Sequence, residues 1–300
     1  MSSTIKNVAI IGAAGALGSV ILDKLIASGQ FNVKVLRRSG SKSIVTAGID
    51  IAEVDFTSLD SLKSALAGQD AVVSAVGNEG IESQILLADA AASVGVKRFI
   101  PSEFGSNVEN PRTRQLVVYA PKVKVQDHII EISKTTDMTY TFVLNNVFLD
   151  WGLQHDFVLS TSNSKPILID GGDLLFSATT LSSIGDAVVG ILSHPDETKN
   201  RAVRIHDLVT SQNQLLALAK QAAPGRVWEP VTVSLDDMVA KADERLAKGI
   251  LDMQTFAPYL SRAALDPNYG GKFEQTDNEL LGVKGKTEQD VIEIFKKHLS

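Results

Sequence analysis

Cysteine is absent from the 300-residue chain, and this absence excludes several kinds of chemistry at once. Without thiols there is no disulfide framework, no thiolate zinc site and no cysteine nucleophile, which suits a reducing compartment. The five histidines include no pair at the i, i+4 spacing that would place two metal ligands on one helix face. We therefore expect a cytoplasmic protein without a metal site.

Excess basic charge and long apolar runs are also missing. The chain carries 29 lysines and arginines against 35 acidic residues, a formal net charge of −6, which argues against a nucleic-acid partner. Its most apolar stretch, residues 8–22, is shorter than the roughly 20 residues that span a bilayer, so we expect no membrane partner. The remaining composition, 44% hydrophobic and 21% charged, is typical of a globular protein.

The first half of the chain alternates between strand-like and helix-like apolar patterns. The strand candidates are residues 5–11, 33–36, 49–56, 71–76, 98–100 and 139–144. Helical spacing separates them, and Thr57 with Asp60 resembles the capping box of one such helix. Apolar strands that alternate with helices indicate a parallel sheet covered on both faces. We predict an α/β protein with a Rossmann-type, doubly wound parallel sheet over residues 1–155.

The pattern is looser in the second half. Residues 167–169, a turn at 170–172 and residues 174–178 predict a β-hairpin. Two further strands are predicted at residues 202–205 and 226–233, and helices at 184–192, 214–222, 235–246 and 288–298. We expect residues 156–300 to form a smaller α+β domain, from which some segments return to the first domain.

Three glycines follow the first predicted strand and open the first helix. Gly12, Gly15 and Gly18 form a G-x-x-G-x-x-G pattern. Gly12 permits a tight turn, Gly15 lets a pyrophosphate approach the helix N–H groups, and Gly18 allows close packing of helix on sheet. Such glycines also occur in purely structural turns, but their place at the first βα turn of a βαβ unit favours dinucleotide binding.

The end of the second strand predicts which dinucleotide binds. NAD sites usually place an acidic residue there, about 20 residues past the glycine loop, whereas this chain has Arg37 and Arg38. We expect Arg38 to bind a 2′-phosphate, with Arg37 stacking or supporting and Lys42 as a further candidate. The alternative is that both arginines are solvated loop charges. The predicted cofactor is NADPH (NADP+).

Later strand ends should line the same crevice, because ligands of open α/β sheets bind beyond the carboxyl ends of the strands. Those ends contain Asp55 with Phe56, then Val76, Gly77 and Asn78, and then residues 101–105. Ordinary loop chemistry is the alternative for each of them.

Several segments together resemble one family. They are residues 12–18, 36–38, 55–57 and the run V-K-R-F-I-P-S-E-F-G at 96–105, extended by 140–143, Asn146, Phe148 and 277–282. The pattern is similar to the isoflavone reductase-like group of the NmrA-like atypical short-chain dehydrogenases, which includes phenylcoumaran benzylic ether and pinoresinol–lariciresinol reductases. The resemblance implies an NADPH-dependent reductase with a C-terminal substrate-binding domain.

The resemblance also assigns a catalytic lysine. In that family a lysine begins the helix after the fifth strand and is followed three residues later by an aliphatic residue. Lys122 and Val125 match this motif, whereas Gln126 and Asp127 stand where the family usually has two arginines. The resemblance therefore implies that Lys122 exchanges a proton beside the cofactor, which is chemistry that a desolvated lysine supports.

Alternatives stay open for individual residues. Lys124 is a rival for the catalytic lysine. Tyr119 lies one residue short of the usual Tyr-x-x-x-Lys spacing, and with Ser106 upstream it keeps a Ser/Tyr/Lys mechanism open. Asn146 contacts substrate or cofactor, or else it hydrogen-bonds the irregular chain that follows.

The predicted function is hydride transfer to a small aromatic or conjugated substrate, of the phenylpropanoid, quinone or enone type. Phe148, Trp151 and Phe157 form either an aromatic wall for it or part of the core. The predicted cofactor contacts are Gly12, Ala14, Gly15, Ala16, Leu17, Gly18, Arg37, Arg38, Asp55, Phe56, Val76, Gly77, Ser102, Phe104, Lys122 and Asn146. The chain is expected to be a monomer or homodimer, and the alternative function is a regulator that senses NADP(H) without turnover.

Overall fold

The structure, a computed structural model, describes residues 4–41 and 48–299. Its strands are β1 (Asn7–Ile11), β2 (Asn32–Arg38), β3 (Asp50–Val54), β4 (Ala71–Ser74), β5 (Arg98–Ile100), β6 (Thr139–Leu144), β7 (Val147–Phe148), β8 (Ile167–Ile169), β9 (Phe176–Thr179), β10 (Arg201–Arg204), β11 (Leu208–Thr210) and β12 (Val231–Val233). Its α-helices are α1 (Ala16–Ser28), α2 (Leu59–Leu66), α3 (Gln84–Ser93), α4 (Pro111–Arg114), α5 (Ala120–Thr135), α6 (Leu149–Gln154), α7 (Leu181–Ser193), α8 (Pro195–Thr198), α9 (Gln212–Ala222), α10 (Leu235–Ala247), α11 (Met253–Leu265), α12 (Asn278–Leu281) and α13 (Glu288–Leu299). Within these ranges no helix has the length and apolar character needed to cross a bilayer.

A seven-stranded parallel sheet organises the molecule, in the order β3-β2-β1-β4-β5-β6-β10. The chain builds outward from β1 to β3 and then crosses to β4 on the other side of β1. A crevice opens at such a switch point, beyond the carboxyl ends of the strands. The predicted Rossmann-type doubly wound sheet is confirmed, and its last strand, β10, comes from the second half of the chain.

The sheet is apolar on both faces because helices cover both. Along β1, Val8 and Ile10 belong to a core shared with α1 and α7, whereas Ala9 and Ile11 belong to a core shared with α2, α3 and α5. Each fully buried aliphatic side chain of this kind contributes about 1.5–3 kcal/mol. The strands are therefore a rigid base for the loops at their carboxyl ends.

The predicted hairpin at residues 167–178 is wrong. β8 pairs in parallel with β12, whereas β9 pairs antiparallel with β11 and parallel with β7. Asp170–Gly172 form a turn of 3₁₀ helix between the two sheets. The Asp170 carboxylate accepts a hydrogen bond from the Leu235 N–H, which attaches this turn to α10 and directs the chain away from a hairpin.

Two local predictions also fail for identifiable reasons. Ser58, not Thr57, caps α2, because the Ser58 hydroxyl accepts from the Ser61 N–H while Thr57 donates to Asp55. The strand predicted at 226–233 is confined to β12, since Pro230 has no N–H to donate to a ladder.

Candidate active site

The glycine turn after β1 allows two close approaches of backbone to backbone. Gly12 has φ +80°, and a Cβ there would lie 2.3 Å from the Ala75 carbonyl oxygen, in the chain that follows β4. A Cβ on Gly18 would lie 2.0 Å from the Gly12 carbonyl oxygen. Because neither contact can accommodate a side chain, glycine is required for α1 to start directly on this turn.

The start of α1 is suited to an anion. Gly15 precedes the helix and provides no side-chain cap, and the first-turn N–H groups of Ala16, Leu17 and Gly18 have no carbonyl partner within the helix. A Cβ on Gly15 would lie 3.3 Å from the Gly12 oxygen, a tight fit on a surface that glycine leaves open. Unpaired N–H groups and the helix dipole both favour a phosphate here.

A cavity of about 1370 Å³ opens from this turn along the carboxyl ends of β1 to β4. Of the predicted cofactor contacts, it is lined by Gly12, Ala14, Gly15, Arg37, Arg38, Asp55, Phe56, Val76 and Gly77. Asn78, also predicted at this strand end, lines it as well. Sequence reasoning did not assign the polar lining residues Ser39, Ser41, Thr57, Glu79 and Ser83, although Ser39 and Thr57 directly follow predicted residues. The cavity thus joins the glycine turn after β1, the arginines at the end of β2 and the chain that follows β3 and β4 in one site.

The two arginines at the end of β2 differ in their surroundings. Arg37 donates to the Glu53 carboxylate at 2.7 Å, and this hydrogen bond lowers the pKa of Glu53. Arg38 is exposed at the cavity, and no ion pair engages it among residues 4–41 and 48–299. Lys42 lies outside the described residues. The pairing of Arg37 leaves Arg38 as the better placed cation for a phosphate.

Lys122 is the third residue of α5 and lies in a second cluster, beyond the end of β5. Its partly buried Nζ donates a hydrogen bond to the Glu103 carbonyl oxygen. The same Nζ lies beside Gly105, 3.6 Å from the position that a Cβ on that glycine would occupy. Burial lowers the pKa of Lys122, and the Glu103 carboxylate opposes this shift. Lys124, the rival lysine, is instead exposed and pairs with Glu82 at 2.5 Å.

Glu103 is a buried carboxyl that lies within the predicted strand end at residues 101–105, but for which the sequence pattern predicts no role of its own. The residue is 2% exposed, and burial raises its pKa to about 7 against the opposing effects of Lys122, Gln126 and Arg114. Its Oε2 has no hydrogen-bond partner in the described part of the chain. The available signal was an acidic residue between the apolar residues Ile100 and Phe104, shortly after a buried strand.

Tyr119 lies just before α5 and is engaged elsewhere. Its hydroxyl donates to the Ser106 Oγ at 2.8 Å, and burial, reinforced by the Glu103 charge, raises the pKa of Tyr119 above its usual range. A phenol with a raised pKa gives up its proton less readily. The arrangement therefore favours Lys122 over Tyr119 as the proton donor.

Three other predicted contacts make hydrogen bonds or pack within the protein. Ser102 donates through its hydroxyl to the Val76 carbonyl, and Phe104, with φ +23°, packs in the core. The Asn146 amide, at φ +52°, donates to the Ser177 and Gly271 carbonyls. None of the three lines the 1370 Å³ cavity, and their cofactor contacts stay predictions.

Aromatic side chains gather after β6. Phe148 meets Trp151 edge-on with ring centroids 6.3 Å apart, and Trp151 stacks on His155 at 4.1 Å. Phe157 packs against the core of the second half. Phe148 and Trp151 likewise pack against the core shared with α1 and α7, so the aromatic wall stays a prediction for all three residues.

Comparison with solved structures confirms the architecture. Leucoanthocyanidin reductase from Vitis vinifera, in a binary complex with NADPH, superposes with a TM-score of 0.80 at 22% identity, covering 98% of this chain and 99% of that one. This likeness shows a shared Rossmann-type fold.

Sequence comparisons then define the family. The model of the NmrA-like family matches residues 4–270. The oxidoreductase poxI of Penicillium oxalicum is 32% identical over 93% of this chain and 90% of its own. A phenylcoumaran benzylic ether reductase of Pinus taeda is 27% identical, over 92% and 90% respectively. The chain belongs to the NmrA-like family, which confirms the resemblance seen in its motifs.

Proposed function

We propose that the protein is an NADPH-dependent reductase that acts on a small aromatic or conjugated molecule. The observation that carries this proposal is the 1370 Å³ cavity at the switch point of the sheet, which combines the glycine turn with an exposed Arg38. A pyrophosphate suits the helix start and a 2′-phosphate suits the guanidinium. The oxidoreductase relatives and the NADPH complex of a protein with the same fold support the same function.

The cofactor would be held mostly by backbone. Gly15 and the first turn of α1 would hold the pyrophosphate, and Arg38 the 2′-phosphate, while Phe56 and Val76 provide apolar surface at neighbouring strand ends. When bound, NADPH supplies a hydride for an electron-poor carbon of the substrate.

Lys122 holds the proton that completes the reduction. Its Nζ is fixed against the backbone by the bond to the Glu103 carbonyl, beside Gly105. Partial burial makes the ammonium a better acid than a solvated lysine, so it donates one proton to the anionic atom of the product and is reprotonated from solvent.

The substrate class rests on chemistry and on relatives. A substrate that accepts a hydride needs a carbon made electron-poor by conjugation, and the adjacent anion is the natural acceptor for the Lys122 proton. The Pinus taeda relative is named for an aromatic ether substrate. Trp151 and Phe148, partly buried near the end of β6, offer aromatic surface for such a molecule.

The test is turnover by the wild-type protein. NADPH oxidation is followed with a panel of phenylpropanoids, quinones and enones, and with the same panel and NADH. We expect at least one compound to be reduced with NADPH and poorly with NADH. If NADPH binds but no compound across the panel is reduced, the reductase assignment fails and the regulatory alternative replaces it.

A further inference from the structure

We propose that Glu103 is a positioning residue that keeps the proton on Lys122, through a buried carboxylate on the same residue whose backbone oxygen binds the ammonium. The inference deepens the proposed function and rests on it, because the proton in question is the one that Lys122 would donate. It adds a carboxylate to a mechanism that the sequence motif describes with a lysine alone.

The first support is the geometry of the pair. Glu103 follows β5, and Lys122 reaches back from the first turn of α5 to the Glu103 carbonyl oxygen. Since backbone and side chain belong to one residue, this bond holds the ammonium within range of the carboxyl charge, although the two groups form no ion pair within 4.0 Å in the described ranges. Glu103 is 2% exposed, so water does not screen the two charges from each other as it would at the surface.

The second support is how the other charges of the cluster are partnered. Arg114 of α4 donates to the Gln126 amide oxygen at 2.9 Å and pairs with the exposed Asp127. Arg114 is therefore already neutralised. In the part of the chain that the structure describes, Lys122 forms no ion pair with another carboxylate. The remaining titratable neighbour of Glu103, Tyr119, is a neutral phenol bound to Ser106.

The third support is an unused acceptor. The Glu103 Oε2 is buried without a hydrogen-bond partner in the described ranges. A buried acceptor without a partner is unfavourable, and an adjacent ammonium offsets that cost. Burial lowers the pKa of Lys122, whereas an ionised Glu103 opposes that shift. Because the pKa of Glu103 is about 7, the carboxylate is present from neutral pH upward, where the lysine needs it.

The experiment is an NMR titration of Lys122 in the full chain without cofactor. Lysines carry ¹³C at Cε, and Lys122→Arg assigns the resonance. Glu103→Gln keeps the size and the backbone acceptor and removes only the charge. We expect the titration midpoint of Lys122 to fall by about one pH unit or more, as for loss of a nearby opposite charge. In the matched control Glu82→Gln, which removes the partner of Lys124, the Lys122 midpoint should stay unchanged.

An unchanged Lys122 midpoint in folded Glu103→Gln would overturn the proposal. If that variant does not fold, the wild type decides: the Lys122 resonance should show a second inflection near pH 7, from Glu103. Its absence would equally overturn the proposal.

Turnover separates this inference from the proposed function. With an accepted substrate, the alkaline limb of the kcat profile should move to lower pH in Glu103→Gln, in step with the NMR midpoint and at unchanged NADPH affinity. A shifted midpoint together with full turnover by Lys122→Ala would refute the proton donor and leave the Glu103 pairing intact.

Discussion

The cavity beside β1 and the lysine cluster beyond β5 both lie at the carboxyl ends of the strands of one sheet, but they differ in exposure and in the groups that form them. The cavity is open and made of a glycine turn, strand ends and an exposed arginine. The cluster is made of ionisable side chains that are buried, as in Glu103 and Tyr119, or partly buried, as in Lys122. An open site of backbone donors suits binding, whereas buried titratable groups suit proton exchange. We therefore expect cofactor binding and proton exchange to be separable by mutation.

Lys122→Ala gives the largest expected effect and tests that separation directly. Turnover should fall about 10²–10⁴-fold, the usual contribution of a general acid. NADPH affinity, measured by calorimetry, should not change, because the amine lies in the cluster and not in the cavity. Lys124→Ala is the control and should retain turnover. Normal turnover by Lys122→Ala, or equal loss in Lys124→Ala, would refute the assignment of roles.

Arg98→Ala tests whether the first residue of the R-F-I-P-S-E-F-G run stabilises the fold, in contrast to the residues of that run that belong to the candidate site. Arg98 is buried and donates to the hydroxyls of Thr139, Thr141 and Thr198. Hydrogen bonds from charged groups contribute about 1.5–3 kcal/mol each and do not simply add, so the free energy of unfolding should fall by at least about 3 kcal/mol in urea denaturation. Lys97→Ala, which removes a surface ion pair, should cost much less. An equal free energy of unfolding for Arg98→Ala and Lys97→Ala would show that the hydrogen bonds of Arg98 do not stabilise the fold.

Gly15→Val should affect the cavity alone. A branched side chain at the start of α1 would cover the N–H groups, and NADPH affinity should fall at least about tenfold, or 1.4 kcal/mol. The fold should persist, because Gly15 has an extended backbone (φ −78°) that any residue adopts, and the tight 3.3 Å approach of a Cβ to the Gly12 oxygen requires a shift of only a few tenths of an ångström. Gly225→Val, at a glycine with open space around it, is the control. If NADPH affinity were unchanged in folded Gly15→Val, the pyrophosphate would not bind at this turn.

Local patterns predict the sheet well, because each strand is a short apolar run and each helix has its own apolar spacing. They fail where partners are distant. β8 reads as half of a hairpin, but it pairs with β12, about 60 residues away in the sequence. α11 was not predicted at all, since Pro258 lies inside it. Pro258 and the rest of that helix are held by tertiary packing, which overrides propensity.

The candidate site divides in the same way. Gly12, Gly15 and Arg38 are predictable because fixed spacing along one βαβ unit places them at one crevice. Glu103 was missed because its role depends on burial and on a lysine 19 residues further along the chain, neither of which a local pattern encodes. Asn146 shows the converse, since a polar residue after a strand proves to bond carbonyls of the second half.

Cofactor choice tests the central claim most directly. Calorimetric titration of the wild-type protein should show NADPH binding at least about tenfold more tightly than NADH, an advantage of about 1.4 kcal/mol or more. Arg38→Ala should remove most of that advantage, because the proposed site pairs this guanidinium with the 2′-phosphate. Arg112→Ala, at an exposed arginine outside the cavity, should leave it intact. Equal affinity of the wild type for NADPH and NADH, or binding of neither, would contradict an NADPH-dependent reductase.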